Sequence, residues 1–248
     1  LKIIGQNENF EIMGLNELGV RFIDFLNHDF DFCDEVEYKK DKIVGKLKPK
    51  RKLTSEEERL KLTNHMDIIR KVAFKFKPTL KTFVPYAGLF GCISYDFIDQ
   101  FEDLPKNKND VTKDPDYVLY FLDNLFLIDH KENKTFFVAN ALIMDEDRDK
   151  VYDECKSKIE KYKRDINKNS NEKISIGKKM SLNRNFFAKV KIESDTSEEE
   201  FIELVKKIKE NIIAGDVYQS VLSRTISLDF NKEPLEVYKR LRELNPSP

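Results

Sequence analysis

Cysteine is scarce in this chain. Cys33, Cys92 and Cys155 are its only three, odd in number and far apart. They match no metal-ligand spacing and no disulfide framework, which points to a reducing, cytoplasmic setting. Histidine is as sparse. His28, His65 and His130 stand alone, with no second histidine or cysteine at ligand spacing, so nothing suggests a zinc site. No apolar run approaches the ~20 residues of a membrane helix, and the first residues resemble no signal peptide. A formal net charge of -1 leaves no global pull toward nucleic acid or an anionic membrane, so neither is expected as a partner.

What is present suits a folded, well-solvated protein. The 248 residues can form one large domain or two small ones. With 40% hydrophobic residues and 19 phenylalanines they can bury a core, while 36% charged residues supply the surface.

Leu1 to Met13 reads as two short strands around the polar turn Gln6-Asn7-Glu8-Asn9, and Leu18, Phe22, Ile23 and Leu26 repeat at helical spacing. Residues 34–53 are charged and lack helical periodicity, and they end in the basic run Lys46 to Lys52, which reads as a solvated loop rather than a contact for an acidic partner. Ser55 and Glu58 make a capping-box pattern. Behind it Leu62, Met66, Ile69, Ala73 and Phe76 share a helical face that Pro78 ends.

Ala87 to Tyr95 is a glycine-punctuated apolar strand, followed by a helical turn over Asp96 to Phe101. Tyr117 to Asp129 is almost continuously apolar, predicting a strand buried on both faces that pairs as a hairpin with Thr135 to Leu142. Val151, Cys155, Ile159 and Tyr162 mark an amphipathic helix, which Asp145 to Asp147 suit as a cap.

Residues 163–185, rich in Lys, Asn and Ser, read as a linker. A strand over Phe187 to Ile192 follows, then a helix opened by Thr196/Ser197 and Glu199/Glu200. Its apolar stripe is Phe201, Leu204, Val205, Ile208 and Ile212, and Gly215 suits its stop. The domain boundary is expected near residue 190, and the fold class is α+β, with antiparallel sheets and helices packed outside.

Beyond Gly215 the alternation predicts a strand with Val217, Gln219, Val221, Ser223 and Thr225 on one face. A glutamine between two valines on a core-like face must find hydrogen-bond partners, because an unsatisfied buried amide costs ~1–3 kcal/mol. Spacing alone leaves two readings for Gln219, a structural amide tied to a neighbouring strand or a ligand-facing one. Gly88 and Gly91 also leave two. They mark a weak phosphate loop or a close approach of backbones, and no Lys-Ser/Thr pair follows them to favour the first.

Three segments carry a resemblance. Gly215-Asp-Val-Tyr-Gln-Ser-Val-Leu-Ser-Arg224, Asn245-Pro246-Ser247-Pro248, and Ala87-Gly-Leu-Phe-Gly-Cys-Ile-Ser-Tyr-Asp96 resemble segments of anthranilate synthase component I, of the chorismate-utilising enzyme family. Asp114 to Tyr117 and Ile128 to His130 also resemble family positions and read as scaffold. Family members that add water to chorismate have lysine where this chain has Gln219, and those that add ammonia have glutamine. Ammonia is already nucleophilic, so no base is required and a cation there would compete with it. Val221-Leu222-Ser223-Arg224 and Asn245 to Pro248 favour anthranilate synthase over aminodeoxychorismate synthase, whose segments more often read Asn-Leu-Ala-Gln and Asn-Pro-Ala-Pro.

The resemblance implies a lyase of tryptophan biosynthesis that turns chorismate and ammonia into anthranilate and pyruvate with Mg2+. Ammonia would come from a glutamine amidotransferase subunit (component II) or from free ammonium, and tryptophan would be a feedback inhibitor. Residues 1–190 would be the N-terminal regulatory region and 191–248 the start of the chorismate-binding domain. Gln219 would face the ammonia side of the pocket, and Pro248 would open the Pro-Tyr-Met segment that contacts tryptophan. The family's Leu-Leu-Glu-Ser motif would fall before Leu1. Its magnesium-binding glutamates and acid-base histidine would fall beyond Pro248, leaving no metal site within this chain. The chain by itself is then expected to be inactive, a regulatory or interaction module.

Overall fold

The computed structural model describes residues 1–48, 55, 57, 61–76, 87–102, 104, 114–143, 147–169, 191–229 and 233–246. The backbone gathers into two compact units, Leu1–Lys173 and Ile174–Pro248.

The first unit is built on a six-stranded antiparallel sheet. Its strands are β1 (Lys2–Gln6), β2 (Asn9–Met13), β3 (Glu35–Tyr38), β4 (Lys42–Lys46), β5 (Leu89–Ile93) and β6 (Tyr117–Phe121), in the order β3-β4-β2-β1-β6-β5. The β1–β2 hairpin lies where the sequence places it, and Asn7 adopts a left-handed φ of 56° in its turn. Asparagine tolerates that conformation better than most residues.

Alternation sorts one face of this sheet into the core. Ile3 lies opposite Ile12 and Leu119, and Ile12 opposite Ile43. All are buried together with Phe10, Tyr117 and Phe121. Two glycines make room on that face. A Cβ on Gly5 would collide with the Tyr117 ring, and one on Gly45 with the Phe10 ring.

Helices α1 (Glu17–Phe25) and α2 (His65–Lys75) add Phe22, Ile23, Ile68, Ile69 and Val72 to this core, and Leu26, Phe30, Leu47 and Phe97 join it from the connections. Asn16 caps α1 by accepting from Gly19 N–H at 2.7 Å. Helix α2 corrects the sequence reading. Its capping box is Asn64 with Asp67, not Ser55 with Glu58, and Leu62 precedes the cap. Glu58 and Pro78 lie outside the described residues. Phe22, Phe76 and Phe121 close one end of the core, with ring centroids 4.6–5.2 Å apart.

One further expectation fails here, and a stretch assigned no element gains one. Residues 35–46, read only as charged and without helical periodicity, form the hairpin β3–β4 at one side of the sheet. Val36 and Tyr38 alternate with charged residues and Ile43 and Gly45 flank Val44, so the period of two is present but masked by the charged neighbours Glu35, Glu37, Lys42 and Lys46. Of the basic run, Lys46 ends β4 and Leu47 is buried, while 49–52 lie outside the described residues. The apolar run Tyr117–Asp129 is not one strand. It breaks at Leu122–Asp123 into β6 and β7 (Asn124–Asp129), which belong to different sheets.

Among the described residues strand β7 pairs only with β8 (Lys134–Ala139), and Phe126 and Ile128 on it are half exposed rather than buried. Helix α3 (Arg148–Asn169) packs against β8. It turns Val151, Cys155 and Ile159 inward, and the Asp147 carboxylate accepts from Asp149 N–H at its start. It also extends into the expected linker as far as Asn169, because polar residues sustain a helix on exposed turns. Glu160 and Lys163 form one such i,i+3 pair at 2.9 Å.

In the second unit, β9 (Ile192–Ser194) pairs antiparallel with β10 (Ile226–Leu228). Helices α4 (Glu198–Ala214) and α5 (Pro234–Leu244) follow these strands in turn. Neither helix buries a residue fully. On the expected stripe of α4, Phe201, Val205 and Ile208 are half-buried, while Leu204 and Ile212 are exposed. The architecture is α+β throughout, as the sequence implied.

Candidate functional site

The segment singled out in the sequence leaves α4 as expected and then departs from expectation. Ser197 and Glu200 form the capping box at the head of α4, with Glu200 N–H donating to Ser197 Oγ at 3.2 Å and Ser197 N–H to the Glu200 carboxylate at 2.9 Å. Three acidic residues in the first turn suit the helix dipole. Gly215 ends the helix at φ 84°, a left-handed cap that glycine adopts without strain, and Asp216 N–H returns to the Asn211 carbonyl at 3.0 Å.

Residues 217–225 are then not a strand. Only Ile226–Leu228 pairs, against Ser194–Ile192, and Gln219 is exposed rather than set on a core face. A strand needs a neighbour for its N–H and C=O groups. Among the described residues β9 offers that neighbour only from Ile192 to Ser194. Tyr218 and Val221, on either side of Gln219, are 96% and 82% exposed, and Leu222 alone in the segment is half-buried.

What organises the end of this segment is Asp195. Its carboxylate accepts from Thr225 N–H at 2.9 Å and from Thr196 Oγ1–H at 3.0 Å, while its own N–H donates to the Thr225 carbonyl at 3.1 Å. The hydrogen bonds from Thr225 and Thr196 hold this carboxyl below the usual range. Nearby the Arg224 guanidinium lies 5.4 Å from the Phe201 ring centroid, and both line an open recess with Glu198, Ile202 and Leu222. Gln219 does not line it. Pro248 lies outside the described residues.

Within the glycine segment, Gly91 resolves toward packing, while Gly88 takes a positive φ of 148° with open space around it. Gly91 sits in β5 opposite Leu119, where a Cβ would strike the Val118 carbonyl oxygen, so a close backbone approach explains it. Asp116 accepts from Asn7 N–H at 2.8 Å, and Asp129 Oδ1 accepts from Lys131 and Glu132 N–H at 2.9 and 3.0 Å. Both carboxylates fasten turns, which is the scaffold role expected of those positions. Among the described residues no group of three or more His, Cys, Asp or Glu side chains is arranged to hold a metal ion. The magnesium implied by the resemblance therefore finds no fitting ligand set in them.

Sequence reasoning missed His65. It is the one buried polar or charged side chain among the described residues, and it is held by two partners far away in sequence. No local pattern around Asn64-His65-Met66 announces this.

With this geometry in view, the comparisons place the protein. The profile of the chorismate binding enzyme family matches residues 31–248, so the chain belongs to that family. The matched curated relatives include anthranilate synthase component 1 of Vibrio cholerae, 30% identical over 78% of this chain and 34% of its own length. The same-named proteins of Buchnera aphidicola subsp. Tetraneura caerulescens and Acetivibrio thermocellus are 31% and 29% identical, over 79% and 75% of this chain and 36% and 37% of theirs. Among solved structures, anthranilate synthase component I from Streptococcus pneumoniae superposes with a TM-score of 0.51 at 18% identity, covering 99% of this chain and 45% of that one. The fold is thus a partial chorismate-utilising fold, and the chain spans about a third of the length of the curated relatives it matches. No helix among the described residues is long and apolar enough to cross a membrane.

Proposed function

We propose that this chain is part of an anthranilate synthase component I, which converts chorismate and ammonia to anthranilate and pyruvate in the cytoplasm. The observation that carries this reading is the match to relatives of that name over three quarters of the chain, joined to the amine-type signature Gln219 with Val221-Leu222-Ser223-Arg224. A neutral amide at position 219 leaves the approach of ammonia free of a competing cation and of an unneeded base. In this reading Gln219 reaches its working position when residues 217–225 gain a strand partner. Pro248 belongs to the tryptophan contact, and residues 1–190 form the regulatory region ahead of a chorismate-binding domain that begins at 191.

Magnesium, the acid-base histidine and the remaining pocket wall belong to the two thirds of the relatives' length that this chain does not match. A glutamine amidotransferase subunit supplies ammonia, and tryptophan acts as the feedback inhibitor. The 248-residue chain alone is then inactive.

One assay tests the reading. Chorismate, ammonium and magnesium are supplied to the chain alone and to a full-length enzyme carrying it, and the fluorescence of anthranilate is followed. The chain alone stays dark, the full enzyme forms anthranilate, and Gln219→Lys in the full enzyme slows amination by at least about tenfold. Aminodeoxychorismate in place of anthranilate from the full enzyme would move the protein to the folate-type synthases. Unchanged amination by the lysine variant would return Gln219 to a structural role.

A further inference from the structure

The first turn of α2, the β1–β2 turn and the start of β6 meet at His65. Its Nε2 lies 2.8 Å from the carbonyl oxygen of Asn7, and its Nδ1 lies 3.0 Å from the Tyr117 hydroxyl. A carbonyl only accepts, so Nε2 carries the ring proton. In the neutral imidazole Nδ1 is then an acceptor, and Tyr117 O–H donates to it. The Tyr117 ring in turn covers Gly5, in the strand that leads into the β1–β2 turn.

The same turn is gripped from outside. Asn7 N–H donates to Asp116 and Gln100 Nε2 donates to the Asn7 carbonyl at 3.2 Å, while Leu47 N–H donates to the Glu8 carbonyl at 2.8 Å. Four separate pieces of chain therefore converge on Asn7 and Glu8, and His65 is the one among them that is both buried and able to change charge near neutral pH.

We propose that His65 is a proton-operated latch: neutral, it ties the β1–β2 turn to the head of α2 and to β6; protonated, it keeps the Nε2–H bond to Asn7 but loses the Tyr117 bond and carries an unhydrated charge, which loosens the packing under that turn. Protonation at Nδ1 converts an acceptor into a donor. The Tyr117 hydroxyl hydrogen then loses its partner in the core, and a cation is left without water. Burial lowers the His65 pKa from its ordinary value. The Asn7 carbonyl and the carboxylates of Asp116 and Glu8 pull the other way more weakly. Asp116 is itself flanked by Asp96 and Asp99, and burial raises its carboxyl above the usual range. Tyr117 stays protonated throughout, since burial pushes its hydroxyl far above neutral pH.

The direction with pH follows. Below the ordinary imidazole value near 6.5 the unfolded chain takes up a proton that the folded chain refuses. This share of stability is present above that value and is lost as the pH falls toward the lowered folded value.

The test pairs the native chain with His65→Gln, whose amide can still donate to Asn7 and accept from Tyr117 but does not titrate. Between about pH 7.5 and about pH 5.5 the Tm of the native chain should fall about 2–4 °C further than that of the variant. Backbone amide protection at Asn7 and Glu8 should drop in the native chain alone. Nitrogen-15 NMR of the native imidazole needs no variant, and should show the Nε2–H form at neutral pH with a midpoint below the ordinary value. Equal falls in Tm, unchanged turn protection, or an Nδ1–H ring would each overturn the latch.

Discussion

The two units solve the burial of apolar surface to different degrees. In the first, β1, β2, β4 and β6 present one face to α1 and α2, and side chains such as Ile3, Ile12 and Ile43 lose all contact with water. In the second, α4 and α5 are well-capped or amphipathic helices by sequence, yet Ile213 is 87% and Leu244 78% exposed. Local signals are as good there as in the first unit. What differs, among the described residues, is opposing surface: a two-stranded β9–β10 ladder offers too little area to cover two helices, and a lone two-stranded sheet is marginal in water. Helix formation and core formation are thus separable, and only the second contributes most of the stability of a domain.

That contrast can be broken by substitution. The largest effect is expected in the six-stranded sheet, where Ile12→Ala should lower the unfolding free energy by about 2–5 kcal/mol in urea titrations. A loss below about 1 kcal/mol would mean that the sheet face is not the closed core described. A middling effect belongs to the local signals of the second unit. Ser197→Ala removes one half of the capping box and should cost α4 about 1 kcal/mol, read as lost helicity by circular dichroism. The smallest effect sharpens the comparison most. Ile213→Ser should change stability by less than about 0.5 kcal/mol, because the side chain it replaces already faces water. A loss as large as that at Ile12 would show that the face of α4 carrying Ile213 is covered in solution.

Family resemblance was legible because it rests on short contiguous segments, and the profile match over residues 31–248 agrees with it. The site was less legible. Gln219 was placed on a strand by alternation alone, and alternation states only which side chains would share a face if a neighbour were there. His65 was invisible for a related reason. Its partners lie 58 and 52 residues away, and its immediate neighbours read only as the start of a helix.

Sequence by itself determined the elements whose hydrogen bonds close within a few residues. These are the β1–β2 hairpin with Asn7 in its turn, α1 behind Asn16, and α4 between Ser197 and Gly215. Only the tertiary structure decided that the charged stretch 35–46 is a hairpin and that Tyr117–Asp129 is divided between two sheets. A helix cap is satisfied by its own neighbours, whereas a strand's hydrogen bonds and a buried imidazole's partners are supplied by distant chain. Those outcomes are settled by which surfaces meet.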